Sequence, residues 1–102
     1  MPSIIIHVVN GQVVYQPDVP GAQPDEPLKV IPGALVTWNN RTNDPHWPIA
    51  CDPPGLFLTN SIPPNDASSP IFNVTQAPST KITYVCAHHP AERRVIEVIT
   101  PP

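Results

Sequence analysis

The residues of this sequence best suited to hold a metal ion lie in two short stretches. Cys86 stands three residues before His89 in CAHHPAERRVIEV (86–98), and His46 lies forty residues upstream of the cysteine, in PHWPI (45–49). A thiolate and two imidazoles suit copper or zinc. If two loops at one end of a rigid β-structure held these donors in a plane, they would form a trigonal site whose geometry hardly changes when an electron passes.

The stretch KITYVC (81–86) is the element that would position the cysteine. In a strand every second side chain faces the same side. Ile82, Tyr84 and Cys86 therefore share one face, and the apolar members make it the inner face. We expect Cys86 at the end of a core-facing row, where the sheet opens into a loop.

The abundance of proline decides the fold class. Seventeen of the 102 residues are proline, and a proline inside a helix costs about 3 kcal/mol. The stretches between prolines are rich in Val, Ile, Thr and Tyr, which favour strands. We expect one all-β domain spanning residues 1–102, an antiparallel sandwich or barrel of seven or eight strands. The predicted strands are Ile4–Val9, Val13–Gln16, Leu28–Ile31, Leu35–Asn39, Leu56–Thr59, Ile71–Thr75, Lys81–Cys86 and Val95–Ile99.

Charge and hydropathy exclude several classes of partner. The formal net charge of −3 argues against nucleic acid, which would require a basic face. No apolar run approaches the roughly 20 residues that span a bilayer, and no signal peptide is visible at the N-terminus. We expect a monomer without a membrane span.

The stretches GALVTWNN, PHWPI and ITYVCAHHPAERRVIEV resemble the cupredoxins, the small blue copper proteins, and most of all their plastocyanin and amicyanin branch. The resemblance covers residues 28–99 and, more loosely, the opening hairpin. It implies a Greek-key fold, one copper ion held by His46, Cys86 and His89, and electron transfer without substrate turnover. It also implies a redox partner protein docking weakly around His89, and a periplasmic or extracellular location.

Glu92 marks the main departure from the family pattern. It occupies the position of the axial methionine in amicyanin-like loops, and the only methionine in the chain is Met1. A carboxylate favours Cu(II) over Cu(I), so a Glu92 ligand would give a lower reduction potential than a methionine. The alternative is a solvated Glu92 paired with Arg94, with the axial position open, filled by water or met by a backbone carbonyl.

Other interpretations remain open for the remaining candidates. Cys86 could form a disulfide with Cys51. His88 is expected to be an exposed neighbour of the site, and His7 a packed or surface histidine. The alternative functions are a copper or zinc storage or delivery module, in which zinc substitutes for copper, an open-site copper protein acting on a small molecule, and a domain retained only for structure.

Overall fold

The structure is a computed structural model that describes residues 2–58, 60–67 and 72–102. In these ranges it contains strands and turns, and no helix there has the length and apolarity to cross a membrane. The strands are β1 Ser3–Val9, β2 Gln12–Pro17, β3 Leu28–Val30, β4 Leu35–Asn40, β5 Pro48–Asp52, β6 Pro54–Leu58, β7 Asp66–Ala67, β8 Phe72–Asn73, β9 Lys81–Cys86 and β10 His89–Val98. The predicted all-β class is confirmed.

Two sheets face each other across the core. The first has the order β2-β1-β4-β7, with β8 also pairing with β4, and the second has the order β3-β10-β9-β5-β6. Most neighbours are antiparallel, as expected, but β1 with β4 and β3 with β10 are parallel. Parallel neighbours need a crossover connection. Between β1 and β4 that connection includes β3, which lies in the other sheet, so the chain passes from sheet to sheet as it builds the sandwich.

Strand β5 is the principal element that the sequence analysis missed. No strand was predicted between Asn39 and Leu56, yet Pro48 begins β5 and pairs with Cys86. Proline is tolerated as the first residue of a strand, where its missing N–H does least harm. The short β7 was missed too, and β10 begins at His89 rather than at Val95. Of the predicted strands at 56–59 and 71–75, Thr59 and Ile71 lie outside the described residues.

The hairpin of β1 and β2 turns at Asn10 and Gly11. Their φ angles are 51° and 78°, and two positive values define the type I′ turn that matches the twist of paired strands. The register that follows sets Tyr15 opposite Ile6. Both side chains are buried, so this hairpin places the Tyr15 side chain in the interior.

Aromatic side chains form the centre of the core. The ring centroids of Trp38 and Phe57 are 5.0 Å apart, those of Trp38 and Tyr84 are 5.4 Å apart, and those of Phe57 and Phe72 are 4.6 Å apart. Close-packed interiors of this kind resist deformation. Because Tyr84 precedes Cys86 by two residues on the buried face of β9, the packed core forms a firm base beneath the cysteine.

Candidate metal centre

A tight hairpin positions Cys86 and His89. Strand β9 ends at Cys86, two turn residues follow, and His89 pairs with Cys86 as β10 begins. The Nδ1 atom of His89 lies 3.4 Å from the Cys86 sulfur. The cysteine is fully buried, whereas the His89 side chain is 40% exposed. The backbone ladder therefore fixes two donor atoms at the surface end of the core.

His46 reaches the same place from the segment between β4 and β5. Its backbone pairs with Ile62 in an isolated bridge, in which Ile62 N–H donates to the His46 carbonyl at 2.8 Å and His46 N–H donates back at 3.2 Å. The side chain is 1% exposed, and its Nδ1 lies 3.8 Å from the Cys86 sulfur. The structure thus brings together the three residues that the sequence singled out.

The buried amide of Asn40 holds this segment in place. Its Nδ2 lies 2.8 Å from the carbonyl of Asp44, 3.1 Å from that of Ile62 and 3.2 Å from that of Pro63. Its Oδ1 accepts hydrogen bonds from the backbone N–H and the hydroxyl of Thr42, at 3.0 and 2.8 Å. One side chain therefore joins the end of β4 to both chain segments beside His46.

Glu92 projects into the cluster from the irregular start of β10, where the pairing with β9 shifts between His89 and Arg93. Its Oε1 lies 3.2 Å from His46 Nδ1, and its Oε2 lies 3.8 Å from His89 Nδ1. His46, Cys86, His89 and Glu92 each offer a donor atom, and these atoms all lie within 4.8 Å of one another.

Arg94 does not take Glu92 away from this cluster. Its Nε donates instead to Asp25 Oδ1 at 2.7 Å. The alternative interpretation of Glu92, a solvated carboxylate paired with Arg94, therefore does not describe this structure. The side chain of Glu92 is only 16% exposed, and its two oxygens face the two imidazoles.

Backbone hydrogen bonds tie the two donor-bearing segments together. Trp47 N–H donates to the Cys86 sulfur at 3.3 Å, and Ala87 N–H donates to the Trp47 carbonyl at 2.8 Å. These two contacts hold the Cys86 sulfur beside the segment that carries His46.

Burial controls the protonation of His46. Loss of solvent lowers the pKa of this imidazole, although the nearby Glu92 carboxylate acts in the opposite direction. A neutral imidazole can offer a lone pair to a metal ion. The hydrogen-bond and ion-pair contacts described for the ring are at Nδ1, on the side of the cluster, whereas Nε2 is buried and finds no hydrogen-bond partner among the described residues.

Tyr15 is a contributor that sequence reasoning missed. Its hydroxyl donates to Glu92 Oε1 at 2.7 Å and lies 3.4 Å from His46 Nδ1. Burial, and next the hydrogen bond to Glu92, raise the pKa of Tyr15, so the phenol stays protonated and remains a donor. No spacing signal marks it, because Val14 and Tyr15 are both buried and the alternation along β2 does not single one out.

The remaining candidates lie outside the cluster. Both cysteines are free, so the proposed Cys51–Cys86 disulfide is wrong. His88 is exposed, and its Nε2 lies 2.8 Å from the hydroxyl of Ser61. His7 is half-buried against Gln16, with 2.8 Å between Nε2 and Oε1. Both histidines therefore have the surroundings expected from the sequence.

The donor set fits one copper ion. A thiolate and two imidazoles are the ligands of trigonal blue-copper sites, which add a weak axial donor. Cys86, His46 and His89 supply that donor set, and Glu92 would offer a fourth donor atom, within 4.8 Å of the others. A β-sandwich with such a cluster at one end resembles the cupredoxin architecture.

Solved structures of amicyanin have the same fold. One is a methionine-to-alanine variant in its Cu(I) form, with 21% sequence identity and a TM-score of 0.62. Another is the reduced Cu(I) form at pH 4 of a proline-to-glycine variant, with 20% identity and a TM-score of 0.63. Each similarity covers 94% of this chain and 81% of the amicyanin chain. No protein-family model matches the sequence, and no curated protein does. The cupredoxin fold expected from the sequence is thus confirmed.

Proposed function

We propose that this protein is a mononuclear copper electron carrier in which His46, Cys86 and His89 bind the metal ion. The observation that carries the proposal is the cluster itself, in which a buried sulfur lies 3.8 and 3.4 Å from two imidazole nitrogens. The amicyanin structures with the same fold include Cu(I) forms. Copper, when bound, supplies a one-electron redox couple.

The way the donors are held suits electron transfer. Cys86 and His89 are fixed by the β9–β10 ladder, and His46 is fixed by its bridge to Ile62 and by the amide of Asn40. Donors that are held by the backbone keep their positions when the charge of the site changes. A site prepared in this way costs little reorganisation when an electron arrives or leaves.

His89 provides the route between the site and a partner protein. Its side chain is 40% exposed, whereas that of His46 is 1% exposed. Among the residues that flank His46 and His89 in the sequence, Pro45, Pro90 and Ala91 are exposed, Trp47 is half-buried and Pro48 is buried. Pro48 therefore does not belong to the exposed patch. The remaining small patch suits the weak, transient docking of redox partners.

Glu92 acts in this proposal as the axial donor and lowers the reduction potential. With one thiolate and one carboxylate, the Cu(II) site is neutral, and reduction leaves a net negative charge. With methionine in that position, the same step runs from a net positive charge to neutrality. Creating charge in a buried site is unfavourable, so the carboxylate favours the oxidised state.

Titration of the purified protein with Cu(II) tests the proposal. We expect an intense visible absorption from charge transfer between the cysteine sulfur and copper, and a paramagnetic resonance spectrum that reports the strength of the axial donor. Cys86→Ser should abolish the colour. Cys51→Ser is the matched control and should retain it, because Cys51 lies outside the cluster.

Two results would contradict the proposal. The first is a Cu(II) complex that is colourless or whose colour survives Cys86→Ser. The second is colourless binding of Zn(II) that excludes Cu(II), which would favour metal storage or delivery. Slow electron exchange together with turnover of a small molecule would favour the open-site alternative.

A further inference from the structure

Tyr15 makes a short polar contact to the candidate metal centre, through Glu92. The distance from its hydroxyl oxygen to Glu92 Oε1 is 2.7 Å, which is typical of a strong hydrogen bond from a hydroxyl to a carboxylate. The tyrosine is 1% exposed. Because water is excluded on the tyrosine side, the phenol rather than solvent satisfies this lone pair of the carboxylate.

Tyr15 is itself held by two side chains from distant parts of the sequence. Its backbone N–H donates to Asp25 Oδ1 at 2.9 Å. The guanidinium carbon of Arg94 lies 5.0 Å from the centroid of the tyrosine ring, and Arg94 Nε donates to the same Asp25 oxygen at 2.7 Å. The phenol is thus confined between the core and a fixed cation, and it cannot turn away from Glu92 without breaking these contacts.

The second arginine of the ERR sequence (92–94), Arg94, does not make the contact that its position beside Glu92 suggests. Arg94 is two residues from Glu92 in the sequence, yet its described ion pair is with Asp25. Its positive charge lies over the ring whose hydroxyl contacts the carboxylate. A cation over an aromatic face is held by the ring quadrupole, so Arg94 fixes the tyrosine in place and leaves Glu92 to the phenol.

We propose that Tyr15 is a positioning residue that fixes the Glu92 carboxylate in the site and limits the negative charge which that carboxylate presents to the metal. The inference rests on the proposed copper function. A hydrogen bond to a carboxylate strengthens as the carboxylate becomes more negative. Glu92 retains more of its charge when the metal is reduced. The phenol therefore stabilises the reduced state and offsets part of the lowering of the potential that Glu92 causes.

Tyr15→Phe is the primary test, because it removes the hydroxyl and keeps the ring. A hydrogen bond to a charged group is stronger than a neutral one, and only part of its strength differs between the two oxidation states. We expect the ratio of Cu(II) to Cu(I) affinity to rise about three- to tenfold. For a one-electron couple this lowers the reduction potential by about 28–59 mV. The axial donor should also appear stronger in the paramagnetic resonance spectrum.

Tyr84→Phe is the matched control. Tyr84 is a buried tyrosine whose ring centroid lies 5.9 Å from that of Tyr15, and it lies outside the four-residue cluster. Its loss should affect stability and leave the potential unchanged. A role of Tyr15 in packing alone would make the two variants behave alike.

A double-mutant cycle with Glu92→Gln ties the effect to the carboxylate. Charge-assisted hydrogen bonds are roughly twice as strong as neutral ones, so the Tyr15→Phe shift should fall to about half or less in the Glu92→Gln background. In the apoprotein, a slowly exchanging Tyr15 hydroxyl proton should be visible by NMR and should move when Glu92 is replaced.

The outcomes separate this inference from the proposed function. A coloured wild-type copper complex whose potential is unchanged or raised by Tyr15→Phe would overturn the role of Tyr15 alone. An equal shift in Tyr84→Phe, or a full shift in the Glu92→Gln background, would do the same. A wild-type protein that forms no coloured copper complex would overturn both.

Discussion

The two segments that carry the donor side chains are held in different ways. Residues 86–92 form a hairpin in which Cys86 and His89 are paired by the backbone ladder. Residues 41–47 lie outside the strands and are held by a bridge to Ile62, by backbone hydrogen bonds to Ile6 and Ala87, and by the side chains of Asn40 and Thr42. Backbone N–H and C=O groups that are not paired in a sheet must find other hydrogen-bond partners, such as buried polar side chains. The cluster is therefore formed by one segment that the sheet shapes and one that a few side chains shape.

The two segments also differ in their access to solvent. His46, on the side held by side chains, is 1% exposed, whereas His89, on the hairpin, is 40% exposed. The buried His46 lies on one side of the cluster, and the partly exposed His89, which offers a route to the surface, lies on the other. Substitutions on the two sides should consequently produce different defects, in stability on the first and in redox behaviour on the second.

The largest effect is expected for Asn40→Ala. The change removes the hydrogen bonds of a fully buried amide, so that the Thr42 N–H loses its acceptor and the Pro63 carbonyl loses a donor, whereas the Ile62 carbonyl keeps its hydrogen bond from His46 N–H. Each unsatisfied buried group costs about 1–3 kcal/mol, so we expect a loss of about 2–5 kcal/mol, measured by urea denaturation of the apoprotein. Asn43→Ala, an exposed position in the same segment, is the control. Equal losses in the two variants would break the comparison.

Glu92→Gln, a change on the hairpin side of the cluster, should raise the reduction potential of the copper site. Removing one negative charge beside the metal should raise the ratio of Cu(I) to Cu(II) affinity on the order of tenfold, because charges a few ångströms apart interact by several kcal/mol before screening. Protein-film voltammetry measures the resulting rise in potential. Glu97→Gln, on the same strand away from the cluster, should leave the potential unchanged. An unchanged potential in Glu92→Gln would show that Glu92 is not a ligand.

Thr42→Val tests how much the Thr42 hydroxyl contributes to the hydrogen-bond network around Asn40, a contribution expected to be smaller than that of Asn40 itself. Its hydroxyl donates to Asn40 Oδ1 at 2.8 Å and accepts from Asp44 N–H at 3.2 Å. A loss of about 1 kcal/mol is expected in the apoprotein. In the Asn40→Ala background the same change should cost less, since contacting residues are not additive. Full additivity would contradict the network.

The smallest effect expected is a pH dependence that His46 brings to the apoprotein. Burial lowers its pKa, so the unfolded chain binds a proton at this residue more readily than the folded one does. Stability then rises with pH. As pH falls below the ordinary histidine pKa, the apoprotein should lose stability, and His46→Gln should lose less. His7→Gln serves as the control, and an identical pH profile for wild type and His46→Gln would argue against this origin.

The sequence predicted the fold class and the residues of the cluster because both leave strong local signals. Proline excludes helices, and the spacing of Cys86 and His89 on a core-facing strand places them at one end of the sheet. The structure brings these residues together with His46 and Glu92. Their role as copper ligands remains a proposal.

The features that the sequence did not predict depend on long-range contacts. Strand β5 is formed because residues 48–52 find a partner in β9, which outweighs the poor strand preference of proline. Tyr15 reaches Glu92 only because the β1–β2 hairpin packs against the other sheet, across 77 residues of sequence. The local sequence pattern does not predict contacts between residues that lie so far apart in the chain.

The hairpin at 86–92 concentrates three of the four candidate donors in seven residues. A single insertion or deletion directly after His89 would change which side chain stands three residues beyond it, placing Ala91 or Arg93 there in place of Glu92, while the sandwich beneath it stayed the same. Changes within this one short segment can thus alter the donor set of the centre without altering the β-sandwich.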